Sequence, residues 1–134
     1  MIYIANLQRK VRIPAGKARR LAEQILGKRR DLSLAFVGNA AIRKLNRKFL
    51  RHDFATDVLA FRLEEDLFGE VVVSADYAVR EARERRIPVE EELLRYVAHG
   101  ILHLLSYDDH APRDRARMWA RQERELRRFL SRII

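Results

Sequence analysis

Short alternating apolar runs and longer apolar stripes at helical spacing divide this chain, and their order predicts its elements. Residues 2–7 alternate and predict a first strand. Pro14 then opens a helix that runs to about Gly27, with Ala18, Leu21, Ala22 and Ile25 on one side and Lys17, Arg19 and Arg20 on the other. Leu32 to Val37 reads as a second strand. Asn39 is the expected N-cap of a short second helix whose stripe is Ile42, Leu45 and Phe49, with Asn46 one residue off it. After a polar loop over residues 51–56, two β-rich runs, 57–63 and 68–74, flank an acidic turn at Glu64 to Asp66 and predict an antiparallel hairpin.

Ser74 is the expected N-cap of a third helix over 75–86. That helix ends in Arg83, Arg85 and Arg86, where cations suit the helix dipole. Pro88 breaks the chain, and Glu90, Glu91 and Glu92 open a fourth helix with the charge its N-terminus prefers. Leu93, Leu94, Val97, Ala98, Ile101, Leu102, Leu104 and Leu105 surround that helix on nearly every side, which predicts a central, buried position. Pro112 starts a last helix with the stripe Met118, Trp119, Gln122, Leu126 and Phe129, so Trp119 reads as core packing; its other face is rich in arginine. The expected fold class is α+β: one domain over residues 1–134, a mixed sheet of about four strands, about five helices packed on one face, and the fourth helix central.

Composition narrows the chemistry. With no cysteine, neither a disulfide framework nor a thiolate metal site is possible. Lys and Arg number 28 against 19 Asp and Glu, a net charge of +9 with a pI near 10.6. Such a balance attracts polyanions, and arginine in particular matches phosphate; a solvated, ion-paired helix face explains arginine equally well. The N-terminus lacks the pattern of a signal peptide and no run is long enough to span a bilayer, so a cytoplasmic protein with no membrane partner is expected. There is no glycine-rich phosphate loop, and no nucleotide cofactor is expected.

Three of the four histidines lie between Tyr96 and Ala111, in YVAHGILHLLSYDDHA. His99 and His103 stand four apart, one above the other on a helix, and can aim two imidazoles at one ion in the manner of a zincin-like HxxxH helix. A catalytic zinc takes a third protein ligand. Ser106, Tyr107, Asp108 and Asp109 are residues for leaving a helix, so the chain can turn back and present His110 or an aspartate to the same ion. Metalloproteases of the H-E-x-x-H type use the glutamate as general base. Here that position is Gly100, which disfavours a peptide hydrolase.

These residues carry a resemblance. HGILHLLSYDDH resembles the H-G-x-L-H-L-x-G-Y-D-H motif of the YbeY family of metal-dependent endoribonucleases and ribosomal RNA maturation factors. Leu45-Asn46 through Phe49, then Ala55 to Phe61, is similar to that family's L-N-x-x-Y-R and P-T-D-V-L-S-F, and Gly69 to Ser74 to its G-D-I-x-I-S strand. The matches run in the family's order from about Leu34 to the last helix. Departures accompany them. The family's third histidine stands six residues after the second; here Asp109 holds that spacing and His110 follows it. Either the turn carries one extra residue and His110 binds, or Asp109 takes the ligand position, and two histidines with a carboxylate also form a known metal site. His110 is favoured because imidazole is the better zinc ligand. Ser106 replaces a glycine and fits poorly if φ is positive there. Leu50 stands where the family has an arginine, with Arg51 next to it; Ala55 and Ala60 replace proline and serine.

The resemblance implies hydrolysis of single-stranded RNA, with the 3′ end of small-subunit ribosomal RNA as target and the ribosome or its small subunit as partner; DNA is not expected. It implies one zinc ion per chain held by His99, His103 and His110, Asp108 or Asp109 shuttling a proton or orienting a histidine, and Arg51 reaching a phosphate. Thr56 and Asp57 would lie near the cleft, although turn capping explains them as well, and His52 would be solvated or face RNA. The alternative is a non-catalytic assembly factor with a structural metal, which coordination by both Asp109 and His110 would favour.

Overall fold

The computed structural model describes residues 1–27, 30–62 and 68–132. Four strands, β1 (Ile2–Asn6), β2 (Leu32–Val37), β3 (Val58–Arg62) and β4 (Gly69–Ser74), form one sheet in the order β1-β2-β4-β3. β1, β2 and β4 run parallel and β3 antiparallel to β4, so the sheet is mixed as the sequence predicts. The five helices are α1 (Ala15–Leu26), α2 (Asn39–Leu50), α3 (Ala75–Arg85), α4 (Val89–Leu104) and α5 (Pro112–Arg132). The expected turn at 64–66 lies outside the described residues.

Strand alternation sets two apolar layers of unequal depth. Ile2, Leu32, Leu34, Phe36, Val58, Val71 and Val73 face the large core that α1, α4 and α5 complete. Val37, Leu59 and Val72 face the other way and meet Ile42 of α2 in a small second core. The expectation of helices on one face is therefore corrected: α2 covers the opposite one. Crossovers between parallel strands obey a handedness rule, but α2 leads into β3, which is antiparallel to its neighbour, and the rule does not bind it. Phe49, expected in the α2 stripe, is 56% exposed and meets Phe61 edge-on, with the Lys48 ammonium over its ring. Nor does Asn39 cap α2. Gly38 holds that position, and the Asn39 amide donates to Oδ2 of Asp76 at 2.7 Å, a carboxylate brought by α3. Ser74 caps α3 as expected, accepting from the Tyr77 amide.

α4 is the central helix, touching α1, α3, α5, β3 and β4. It lies unusually close to the sheet at Gly100, where a Cβ atom would stand 2.5 Å from Cγ1 of Val71 and 3.1 Å from Cγ2 of Val58. A side chain there requires that α4 or β4 move. α4 ends at Leu104, and the chain leaves it through Ser106 at φ 75°, the left-handed conformation that costs a non-glycine residue about 1 kcal/mol. Arg62 offsets that cost by donating to the Leu104 carbonyl at 3.1 Å and to the Ser106 hydroxyl.

Candidate metal centre

The helical spacing does what the sequence predicts: the rings of His99 and His103 lie 4.8 Å apart, inclined at 81°. The turn after Ser106 then brings Asp109 over them. Oδ2 of Asp109 stands 3.3 Å from Nε2 of His103 and 3.8 Å from Nε2 of His99. Donors about 2.0–2.1 Å from a tetrahedral zinc are separated by roughly 3.4 Å, so the three atoms already sit near the spacing one ion requires. Two imidazoles and a carboxylate are also chemically suited to zinc or ferrous iron.

The tautomer of His99 follows from its surroundings. Nδ1 of His99 lies 2.7 Å from Oε1 of Gln122, a fully buried residue of α5. Gln122 points its amide nitrogen at Oε2 of Glu123, 3.0 Å away, and a carboxylate can only accept. Oε1 must therefore be the acceptor, Nδ1 of His99 the donor, and Nε2 is left with a lone pair directed at Asp109 and His103. For His103, burial first and then the neighbouring His99 hold the imidazole below its ordinary pKa, against the pull of Asp109, so it is neutral at pH 7.

Behind Gln122 the support continues. Arg95 donates to Glu123 at 2.9 and 3.0 Å, to Glu92 at 2.6 Å and to Glu91 at 3.2 Å. Glu92 is buried and also accepts from Arg85. This chain of residues is the part that periodicity alone misses. Its signal was Gln122, a polar residue in the middle of the stripe of Met118, Leu126 and Phe129, which must find a partner if that stripe is buried.

His110, expected among the ligands, is not part of the His99–His103–Asp109 grouping. It forms a second one with Asp108 and Asp109, and its side chain is 91% exposed. Asp108 accepts the His110 amide at 2.9 Å and shapes the turn. Arg51 is the exposed, left-handed C-cap of α2 at φ 60°. Asp57 accepts from the Val58 amide at 2.8 Å and from Thr56 at 3.1 Å, the expected capping role, and it also lines a cavity beside His99. His52 is exposed and stacks on Phe54. Trp119 is 49% exposed rather than core: it falls at the edge of the α5 stripe, where it lines a cavity beside His99.

Comparisons with known proteins agree in direction. A sequence profile described as Endoribonuclease YbeY matches residues 3–130. The Endoribonuclease YbeY of Anaeromyxobacter sp. (strain Fw109-5) is 50% identical over 103 residues, which cover 73% of this chain and 53% of that protein. The chain thus spans about half of that relative's length. The Endoribonuclease YbeY of Syntrophotalea carbinolica is 36% identical over 139 residues, covering 94% of this chain and 93% of the relative. Among solved structures, the solution structure of a Thermotoga maritima protein superposes with a TM-score of 0.68 at 30% identity, over 98% of this chain and 91% of that one. Among the described residues no helix is long and apolar enough to cross a membrane.

Proposed function

The chain belongs to the YbeY endoribonuclease family, and from that premise we propose that residues 1–134 form one metal-dependent endoribonuclease domain. It acts in the cytoplasm on single-stranded RNA during ribosomal RNA maturation, at the 3′ end of the small-subunit RNA. The metal is zinc, one ion per chain, held by His99, His103 and Asp109, with His110 and Asp108 at the rim. One observation carries this reading: the hydrogen bond from Nδ1 of His99 to Gln122, which leaves Nε2 facing His103 and Asp109. An imidazole locked in that tautomer by a buried amide is built to bind a cation.

A divalent cation there supplies Lewis acidity, polarising a phosphoryl oxygen and acidifying water so that hydroxide is available near neutral pH. The protein's own residues do the rest. Gln122 keeps the His99 ring in line, and Asp108, half-exposed at the mouth, takes the proton released as the phosphodiester is attacked. Arg51 and the exposed arginines at the start of α5 hold phosphates upstream and downstream of the reacting one.

Elemental analysis of wild type, Asp109→Ala and His110→Ala tests the ligand set. We expect Asp109→Ala to lose its metal and His110→Ala to keep it; the reverse result transfers the third ligand to His110. Cleavage of single-stranded RNA tests the activity. His99→Ala is expected to abolish it while unfolding remains cooperative, and cleavage that persists in this variant, prepared free of contaminating nuclease, overturns the mechanism.

A further inference from the structure

Beside the His99 cluster, α3, α4, α5 and the start of β3 enclose a cavity of about 240 Å³. His99 forms part of its wall, so whatever occupies it adjoins a phosphodiester bound at the cluster. One side of this cavity is Trp119, a large aromatic residue left 49% exposed.

The charge of the walls says what that ligand is not. Asp57, Glu81 and Glu92 contribute carboxylates, while Arg95 is committed to Glu91, Glu92 and Glu123, and Arg85 to Glu92. A phosphate would meet acidic oxygens with no free cation to offset them. A flat, neutral group with hydrogen-bond donors on its edge fits: it can lie on Trp119 and donate a hydrogen bond to Oδ2 of Asp57, whose Oδ1 already serves Thr56 and Val58. Building on the nuclease reading above, we propose that this cavity is a nucleobase subsite for the residue next to the scissile phosphate. The base stacks on Trp119 and is read by Asp57, which favours bases carrying an exocyclic amine over uracil.

Trp119 is the one tryptophan in the chain, so its fluorescence reports on this cavity directly. The full-length protein, with chelator present, is titrated with the four nucleoside 5′-monophosphates and with ribose 5-phosphate, correcting for nucleotide absorbance. Saturable quenching is expected from the guanine, adenine and cytosine nucleotides, weaker quenching from uridine monophosphate, and none from ribose 5-phosphate. Asp57→Asn should weaken binding of the amine-bearing nucleotides by roughly two- to tenfold. Trp119→Leu should raise KM for RNA on the order of tenfold, with Trp119→Phe restoring most of it. Equal quenching by ribose 5-phosphate, no saturable quenching by any base, or a Trp119→Phe variant as impaired as Trp119→Leu overturns the subsite. Because the titration needs neither metal nor turnover, a wild-type protein that binds bases but cleaves no RNA sinks the nuclease reading alone.

Discussion

The two ends of α4 treat charge in opposite ways. At the N-terminal end, Arg95 is enclosed by Glu91, Glu92 and Glu123, and Glu92 takes a second arginine, so every charge has its counter-charge within the protein. At the C-terminal end, His99, His103 and Asp109 direct three acceptor atoms at one point and supply no cation to it. The first is a closed ionic cluster that holds structure together; the second is a grouping that could hold an ion. Gln122 and Glu123 join them, so the closed end fixes the geometry of the open one.

Breaking the closed end should have the largest effect. Arg95→Met leaves Glu123 without its guanidinium and Glu92 with Arg85 alone. The expected loss is about 3 kcal/mol, at the low end for a broken buried pair because Arg85 remains, and urea denaturation measures it. If stability is unchanged, the cluster is not structural and the contrast fails. Cutting the link comes next. Gln122→Leu should lower metal affinity by roughly 10–100-fold, as removal of a partner that orients a ligand does, with a much smaller change in stability. Equilibrium dialysis against zinc, read beside a melting curve, separates the two. An equal loss of both would mean that the ends are not distinct units.

Acid should discriminate between the ends more gently. Burial, the largest single influence on Glu123, raises its pKa, but the hydrogen bonds from Arg95 and Gln122 and the charge of Arg95 outweigh it and hold the carboxyl below its usual range; Gln24 and Arg121 do the same for Glu125. A depressed folded-state pKa contributes stability that is complete above the unfolded value of about 4.3 and is lost as pH falls through the folded one. Wild type should therefore lose stability below about pH 4.3, and Arg95→Met should lose less over the same range. Parallel pH profiles for the two proteins would contradict the assignment.

How much of this was legible in the sequence varies with the kind of interaction. The order of strands and helices followed from periodicity, because burial of one face is written at every second or every third and fourth position. The pairing of His99 with His103 followed for the same reason. The face that α2 covers did not, since no chirality rule constrains a helix leading into an antiparallel strand. Phe49 and Trp119 sit in phase with their stripes yet are exposed: phase says which way a side chain points, and only the tertiary neighbours say whether anything is there to cover it. The third member of the grouping lies on a turn, where helical spacing no longer applies. Asp109 stands at the same distance from His103 as the family's third histidine, and a left-handed Ser106 aims the chain so that this spacing, one residue short of His110, meets the cluster.

Gly100 bears on what this scaffold can become. A peptidase of the HExxH kind needs a glutamate immediately after the first histidine, and converting this chain looks like a single codon's work. The packing forbids it: even the first carbon of a side chain at that position would overlap Val71. The helix keeps its close approach to the sheet by surrendering the position from which a peptidase would act. Divergence toward peptide hydrolysis would therefore have to pass through a repacked sheet, a valley that single substitutions do not cross.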